Sequence, residues 1–322
     1  MNYIITGGTG FIGTHLTNLI KEQYPLAYIY NLDIVKPSAE AKSIYVECDV
    51  RKRIDVPFEV TSDDIIFNLA AVHRTPGYPD LDYFETNIRG AENVTAFAEK
   101  NGIKKIVFTS SIAPYGASEE LKEETVLPTP NTPYGISKLV AEKIHIIWQS
   151  KNEKERQLTI VRPGVVFGKG ENGNFTRLYW SIRKHSFFYP GRKNTIKGAI
   201  YVKDLVNFML YKLENHNTGT ELFNCTFEPA YTIEQIVETM AKTTGLKAPS
   251  LKINGKLLMS IATIVGALGG KKLGIHPDRV KKLMISTNIS GKKLSESGYI
   301  FRYTLESAIQ DWHADNNYQF LL

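Results

Sequence analysis

The residues with the clearest capacity for proton transfer are Tyr134 and Lys138, in the run YGISK. They lie four apart at the start of a helical pattern over residues 133–148, which would put both side chains on one face of a helix. A lysine ammonium beside a tyrosine favours the phenolate, because opposite charge stabilises the ionised form. The spacing therefore predicts a tyrosine that acts as general base and acid toward a substrate hydroxyl. Because Tyr-x-x-x-Lys also arises by chance, this interpretation depends on the rest of the chain.

A glycine-rich turn near the N-terminus predicts a dinucleotide site. TGGTGFIG, residues 6–13, follows the apolar run 3–5 and opens a helical pattern. Gly7 would allow a tight turn, Gly10 would let the backbone approach a pyrophosphate, and Gly13 would let the helix pack closely on its strand. Backbone amides at the start of the helix would face the anion. The cofactor-binding residues predicted in this turn are Gly7, Gly10, Phe11, Ile12 and Gly13.

An acidic residue follows at the spacing that such a site needs. Asp33 lies 20 residues past Gly13 and closes the apolar run 28–32. Its carboxylate could accept hydrogen bonds from the ribose hydroxyls and would repel a 2'-phosphate, which favours NAD over NADP. Lys36 could still meet a 2'-phosphate, so NADP stays open as the less favoured cofactor.

The elements that would position these residues form an α/β pattern. Strand-like apolar runs alternate with helical patterns at 3–6, 28–32, 44–46, 65–69, 106–109 and 158–161. This alternation predicts a Rossmann fold, a doubly wound parallel sheet whose carboxyl edge carries the site.

The second half of the chain is less regular and predicts a smaller, mostly helical C-terminal substrate lobe. Residues 199–226 are expected to return to the sheet, through strand-like segments at 199–202 and 221–224 and a helix between them. The predicted domains are an NAD-binding unit of residues 1–163 with 199–226, and a substrate-binding lobe of 164–198 with 227–322.

Composition excludes several other classes of protein. The 322 residues are 43% hydrophobic and 22% charged, which is ordinary for a soluble globular enzyme. The net charge of +6 is spread along the chain, so a nucleic-acid partner is not expected, although phosphate-bearing ligands suit the excess. Cys48 and Cys225 are the two cysteines, and their sequence context predicts neither a metal site nor a disulfide.

Targeting and membrane signals are weak. Met1 leads directly into the first apolar run, without the charged and apolar regions of a signal peptide. The apolar stretch 257–270 is interrupted by polar residues and glycines, and at about 14 residues it falls short of the ~20 that span a bilayer. A cytoplasmic protein with no membrane span is expected.

A series of motifs along nearly the whole chain is shared with one superfamily. They are TGGTGFIG at Thr6, Asp33, CDV at Cys48, NLAAVH at Asn68, NIRG at Asn87, FTSS at Phe108, YG at Tyr115, YGISK at Tyr134, RPGVVFG at Arg162 and YVKDL at Tyr201. With them the chain resembles the extended short-chain dehydrogenase/reductases and, among these, the NAD-dependent epimerase/dehydratase family that acts on nucleotide sugars.

The resemblance implies roles for further residues. Ser111 matches the position that completes a Ser, Tyr and Lys triad, whereas Ser110 is expected to cap a turn. A homodimer is implied as well, formed by the helix at 81–100 and the one that carries Tyr134. The implied cofactor contacts are Asp49, Val50, Leu69, Ala70, Ala71, Asn87, Tyr134, Lys138 and Pro163.

Departures from the family pattern narrow the range of reactions that are expected of this chain. Ile112 and Ala113 stand where relatives that eliminate water carry an Asp and Glu pair, so a 4,6-dehydratase is not expected. Gly164 and the following valines replace a Phe-Asn pair of many epimerases, and the late RxGD pattern has no counterpart. The substrate-binding residues that the resemblance leaves are Asn174, Lys197, Arg177 and Arg192.

The first interpretation is an NAD-dependent nucleotide-sugar epimerase or 4-ketoreductase with Tyr134 as general acid and base. The resemblance extends to enzymes of surface-polysaccharide sugar synthesis. Two alternatives stay open. One is a dehydrogenase of a hydrophobic alcohol, similar to steroid and flavonoid reductases. The other is an NAD(H)-sensing protein without catalysis, against which the retained Ser111, Tyr134 and Lys138 argue.

Overall fold

The computed structural model describes residues 1–74, 77–215, 218–256, 258, 260 and 284–322. Its centre is a sheet of seven parallel strands, which confirms the predicted Rossmann fold. The strands are β1 (Asn2–Thr6), β2 (Tyr28–Asp33), β3 (Ile44–Glu47), β4 (Ile65–Asn68), β5 (Lys105–Thr109), β7 (Gln157–Pro163) and β12 (Gly219–Cys225). Their spatial order is β12-β7-β5-β4-β1-β2-β3. The order reverses direction between β1 and β4, which is where a doubly wound sheet binds its ligand.

Nine helices lie wholly within the described residues. They are α1 (Phe11–Gln23), α2 (Asp80–Tyr83), α3 (Arg89–Lys100), α4 (Pro133–Ser150), α5 (Asn174–Arg183), α6 (Val202–Glu214), α7 (Ile233–Thr243), α8 (Lys292–Ser295) and α9 (Leu305–Asp315). A π-helical turn, Phe84–Ile88, joins α2 to α3, so the helix predicted over 81–100 has three parts. A 3-10 turn, Ala113–Tyr115, follows β5.

The sheet is covered on both faces, which explains its continuous apolar strands. Phe67 of β4 packs in one core, with residues of α1 and α6. Its neighbour Ile66 packs in the opposite core, with residues of α3 and α4. Successive residues of a strand point to opposite faces, so a strand buried on both sides must be apolar throughout.

Short strands build the rest of the molecule. They are β6 (Ser118–Lys122), β8 (Val165–Phe167), β9 (Tyr189–Pro190), β10 (Ile196–Lys197), β11 (Ala199–Tyr201), β13 (Tyr231–Thr232), β14 (Lys252–Ile253) and β15 (Thr287–Ile289). A four-stranded sheet has the order β13-β10-β15-β6, and β11 pairs with β8 and β14 with β9. A third core, which includes Phe167 and Trp312, lies under α5, α7 and α9.

One sequence expectation about the sheet is wrong. Residues 199–202 were expected in the central sheet, but β11 pairs with β8, with Ala199 opposite Val165. The place beside β7 is taken by β12, which pairs with β7 along its whole length. Strand β6, from within the predicted NAD-binding unit, joins the sheet of β10 and β15. The domain boundaries stay a prediction.

The apolar stretch 257–270 lies outside the described residues apart from positions 258 and 260. Within the described part of the chain, no helix has both the length and the apolar character needed to cross a membrane. The same residues contain no cluster of three or more side chains suited to hold a metal ion.

Candidate active site

The glycine turn between β1 and α1 is pressed against the loop that follows β4. Gly7 has φ +73°, and a Cβ there would lie 2.7 Å from the backbone nitrogen of Ala70. A Cβ on Gly13 would lie 2.6 Å from the Cα of Gly8. Both positions therefore need glycine, one for its backbone angle and contact with β4 and the other for the packing of α1 on the turn.

The start of α1 fits a pyrophosphate. Gly10 precedes the helix, and no side chain caps its first turn. A Cβ on Gly10 would meet one atom within 4 Å, the carbonyl oxygen of Gly7 at 3.2 Å. The backbone amides of Phe11 and Ile12 in this first turn would therefore bind the diphosphate of a dinucleotide.

Asp33 ends β2 beside the same turn. Its Oδ2 accepts a hydrogen bond from the backbone N–H of Thr9 at 3.0 Å, and its Oδ1 accepts one from the N–H of Val35 at 2.9 Å. The carboxylate is thus fixed at the edge of the glycine turn, where the ribose of a dinucleotide would lie.

The two residues implied to contact the adenine have partners within the protein. The Asp49 carboxylate forms a bidentate ion pair with Arg51, which lowers the pKa of Asp49. Val50 is buried against Gly90, and its carbonyl accepts a hydrogen bond from Asn93. The adenine contacts stay a prediction.

Asn87 links three elements of the site. It lies in the π-helical turn, a feature that often marks functional sites. Its amide group exchanges hydrogen bonds with the backbone of Val72, at 2.9 and 3.1 Å, and donates another to Ser137 at 2.8 Å. The segment Leu69 to Ala71, just before Val72, is tied to β1 by a hydrogen bond from the Leu69 N–H to the Thr6 carbonyl.

The three residues predicted to act in catalysis come together between β5 and α4. The Thr132 side chain caps α4 and accepts a hydrogen bond from the Gly135 N–H at 3.1 Å, so Tyr134 lies in the first turn. The Tyr134 hydroxyl is hydrogen-bonded to Ser111. Lys138 is buried one turn later, and its Nζ donates to the Thr109 carbonyl at 2.8 Å.

The electrostatics of the pair differ from the sequence expectation. Burial raises the pKa of Tyr134 to about 12, although the Ser111 hydrogen bond offsets part of the rise. Burial also lowers the pKa of Lys138 to about 7, against the opposing field of Glu142. Burial penalises both charged forms, and Lys138 directs its Nζ to Thr109, so the tyrosine is not a ready phenolate here.

A buried ion pair next to these residues escaped the sequence analysis. Glu142 on α4 is bound by Arg162 of β7 through two hydrogen bonds, at 2.8 and 2.6 Å. Ser110 donates to the same carboxylate, and Tyr115 accepts a hydrogen bond from Arg162. The spacing of Glu142, four residues after Lys138, was the available signal in the sequence.

Two backbone positions shape the floor of the site. The Pro163 carbonyl accepts a hydrogen bond from the Ile112 N–H at 3.1 Å, next to Ser111. A Cβ on Gly164 would lie 2.5 Å from the Gly198 carbonyl oxygen. A side chain at position 164 would therefore require the backbone at Gly198 to move.

Each of the four residues predicted to bind substrate has a hydrogen-bond partner within the protein. Arg177 donates a hydrogen bond to Asn174 at 3.0 Å, both on α5. Lys197 donates to the Ile285 carbonyl at 2.8 Å, and burial lowers the pKa of Lys197 to about 8. Arg192 is paired with Glu119 and also donates to Ser286, so it lies near Lys197.

An internal carboxylate occupies part of the start of α5. The buried Glu171 accepts a hydrogen bond from the Thr176 N–H at 2.9 Å. The Thr176 amide is therefore not open to a substrate anion.

Comparison with known proteins agrees with this site. The model of the NAD-dependent epimerase/dehydratase family matches residues 3–226. The chain is 33% identical to the N-acetyl-alpha-D-glucosaminyl-diphospho-ditrans,octacis-undecaprenol 4-epimerase of Escherichia coli O157:H7, over 96% of this chain and 93% of that one. It is 28% identical to the UDP-glucose 4-epimerase of Bacillus subtilis, over 77% and 84% of the two chains.

A solved structure shares the fold. The UDP-glucuronic acid 4-epimerase of Bacillus cereus, in complex with NAD, superposes with a TM-score of 0.74 at 19% identity, over 99% of this chain and 100% of its own. The glycine turn with its uncapped helix, the placement of Ser111, Tyr134 and Lys138, and the family match lead to one conclusion. The chain belongs to the NAD-dependent epimerase/dehydratase family.

Proposed function

We propose that this chain is an NAD-dependent 4-epimerase of a sugar carried on a diphosphate. The observation that carries the proposal is the 33% identity to a 4-epimerase of such a sugar over 96% of the chain. The meeting of Ser111, Tyr134 and Lys138 beside the glycine turn supports it, because these side chains suit oxidation and reduction at a carbinol carbon.

Each residue then has a definite task. Bound NAD would supply the hydride acceptor for oxidation of the sugar carbon and the hydride donor for its reduction on the other face. Tyr134 accepts the proton of the sugar hydroxyl as a phenolate, the form that a protonated Lys138 favours, and returns it from its hydroxyl when the ketone is reduced. Ser111, already bonded to Tyr134, holds the sugar oxygen within reach. Lys138 lies one turn away and supplies a cation close to the reacting oxygen when it is protonated.

The adenosine half would be bound by the fixed carboxylate of Asp33 and by the glycine turn. Ile112 and Ala113 follow Ser111 and carry no titratable group, so elimination of water from the sugar is not part of the reaction we propose. Lys197 and Arg192 are cations that would meet a diphosphate, and Lys197 contacts it as a point charge rather than as a bidentate fork.

Two kinds of carrier join a sugar to a diphosphate and could bring it to this site. A nucleoside diphosphate is the carrier that the sequence predicts, and the Bacillus subtilis relative is a UDP-glucose 4-epimerase. A polyprenyl diphosphate is the carrier named for the Escherichia coli relative. Both present a sugar joined to a diphosphate to the residues above, and a role in surface-polysaccharide synthesis fits either.

The test is a product analysis with both carriers. Purified protein and NAD are incubated with UDP-N-acetylglucosamine, UDP-glucose or undecaprenyl-diphospho-N-acetylglucosamine in detergent, and the released sugars are separated by chromatography. The proposal predicts the 4-epimer from at least one carrier, and the carrier that reacts identifies the source. Formation of NADH from a 3β-hydroxysteroid with no epimer would favour the alcohol dehydrogenase. NAD binding with no turnover of any substrate would favour the sensing protein.

A homodimer in the cytoplasm is part of the same proposal. The outer face of α4 exposes Ile136, Val140 and Ile147, with 40%, 37% and 58% of each residue accessible. Next to them a groove of about 290 Å³ runs between α3 and α4. An exposed apolar face of this kind on α4 suits pairing with the same face of a second copy.

A further inference from the structure

Three consecutive residues at the end of β5 contact three residues that lie one turn apart on α4. The pairs are Ser111 with Tyr134, Thr109 with Lys138, and Ser110 with Glu142. The first two pairs contain the residues proposed to act on the substrate. The third contains a carboxylate that the proposed reaction does not use.

The Glu142 carboxylate is held by three hydrogen bonds. Its Oε1 accepts hydrogen bonds from Arg162 Nε at 2.8 Å and from Ser110 Oγ at 2.5 Å, and its Oε2 accepts one from Arg162 Nη2 at 2.6 Å. The Glu142 and Arg162 side chains are 1% and 4% exposed. A buried carboxylate held by three donors is confined to one position.

Arg162 is fixed in turn from its other side. Its Nη1 donates to the Tyr115 hydroxyl at 2.6 Å, and that hydroxyl donates to Asn224 of β12 at 3.0 Å. The guanidinium also lies over the Tyr115 ring, 4.7 Å from its centroid. The position of the Glu142 carboxylate is therefore determined by β5, β7 and β12 together.

We propose that Glu142 is a positioning residue for Lys138, whose carboxylate, clamped by Arg162 and Ser110 one turn further along α4, stabilises the Lys138 ammonium in its buried place against β5. The inference rests on the role proposed above for Lys138. Lys138 Nζ has a single hydrogen bond among the described contacts, to the uncharged carbonyl of Thr109. A buried ammonium with one neutral acceptor needs a nearby negative charge.

The other groups around Lys138 do not supply that charge. On α4, burial lowers the pKa of His145 to about 4, so its ring is neutral at pH 7. His73, from the loop after β4, would repel the ammonium if it were protonated. Tyr134 has a raised pKa and is uncharged. Arg162 is a cation and forms an ion pair with Glu142.

The pKa of Lys138 is consistent with this arrangement. Burial lowers it to about 7, and the Glu142 carboxylate is the charge that opposes the fall. Lys138 therefore titrates close to neutral pH, where loss of the carboxylate would leave the amine uncharged.

The test removes both charges of the pair at once. Replacing a buried ion pair with apolar residues of similar volume is commonly tolerated, whereas removing one partner strands the other. Glu142→Met combined with Arg162→Met is compared with the wild type, both saturated with NAD. The lysine side chains carry a 13C label at Cε, and the Lys138 signal is assigned as the one missing from Lys138→Met.

The matched control is Lys212→Met combined with Glu221→Met. That pair joins α6 to β12 at 2.7 Å, and Lys212 is 5% exposed. We expect the Glu142 and Arg162 double variant to lower the pKa of Lys138 by about one unit, and the control to leave it unchanged. With a substrate that turns over, the alkaline limb of kcat should move down in pH by the same amount.

A Lys138 titration that matches the wild type in the folded double variant would overturn the inference. Should that variant not fold, Glu142→Gln, which removes the charge and keeps the size, is titrated in its place with the same expected fall. The titration needs no substrate. Its outcome therefore stands apart from the proposed epimerase activity, which could fail while the pKa still shifts.

Discussion

Lys138 and Thr109 are joined by a hydrogen bond of 2.8 Å from the lysine Nζ to the backbone carbonyl. The bond fixes the long lysine side chain against the end of β5 before any substrate arrives. Tyr134, one turn earlier, is held by Ser111 from the same end of the strand. Proton-transfer groups that are placed in advance need no reordering during the reaction, which is a large part of what an active site contributes.

Asp33→Ala should relax the preference for NAD. The change removes the carboxylate that Thr9 and Val35 hold at the edge of the glycine turn, and with it the repulsion of a 2'-phosphate. We expect the ratio of the Kd values for NADP and NAD to fall by about tenfold, which corresponds to about 1.4 kcal/mol. Calorimetric titration with each cofactor measures the ratio. Asp55→Ala serves as the control, and an unchanged ratio in Asp33→Ala would rule out the assigned role.

Gly7→Ala should lower the free energy of unfolding by more than the positive φ of Gly7 alone explains. Gly7 and Gly102 have similar φ values, +73° and +68°, but a Cβ on Gly102 would meet its nearest atom at 3.8 Å. A Cβ on Gly7 would lie 2.7 Å from Ala70. Gly102→Ala should therefore lose about 1 to 2 kcal/mol of unfolding free energy, and Gly7→Ala more, together with NAD affinity. Urea unfolding compares the two, and equal losses would argue against the contact with Ala70.

Lys138→Met should change how stability depends on pH. The pKa of Lys138 is about 7 in the folded protein against 10.5 for an ordinary lysine, so between these values the unfolded chain binds more protons. The free energy of unfolding of the wild type should rise with pH across that window, and this contribution should be absent from the variant. Melting temperatures at pH 7 and pH 9 test the point. From pH 7 to pH 9 the melting temperature of the wild type should rise relative to that of the variant. A constant difference between the two melting temperatures would mean that the pKa of Lys138 is not lowered by burial.

Some features of the fold and site could be predicted because their causes are local in sequence. Gly7 needs glycine for its backbone angle and Gly13 for a contact with Gly8 five residues earlier, and the apolar strands record burial on two faces. Tyr134 and Lys138 share a helix, so their spacing alone predicts that they lie on one face of it.

Features that depend on distant segments escaped prediction. The pairing of β11 with β8 follows from β12 taking the place beside β7, which no local pattern encodes. Glu142 and Arg162 are 20 residues apart and meet because α4 packs across the sheet. The direction of the Tyr134 pKa shift was missed for the same reason, since the shift comes from burial of the hydroxyl by the whole fold.

Ile147→Glu should dissociate the proposed dimer. Ile147 is 58% exposed on α4 and lines the groove between α3 and α4. A carboxylate there would be buried without a partner in a symmetric interface, at a cost of several kcal/mol. Light scattering should give twice the monomer mass for the wild type and the monomer mass for the variant. Leu127→Glu is the control, because Leu127 is 80% exposed and lies on another part of the molecule. A wild-type monomer would contradict the proposal.

The most direct test of the central claim is the fate of the hydrogen at the sugar C4. The carrier that turns over is prepared with deuterium at C4, and the products are examined by mass spectrometry and by NADH absorbance. An epimerase returns the same hydride, so the 4-epimer should keep its deuterium while no NADH accumulates. Tyr134→Phe should bind NAD and form no epimer, with a loss in kcat of at least about a hundredfold. Deuterium that appears in released NADH, in step with a keto sugar, would contradict the account.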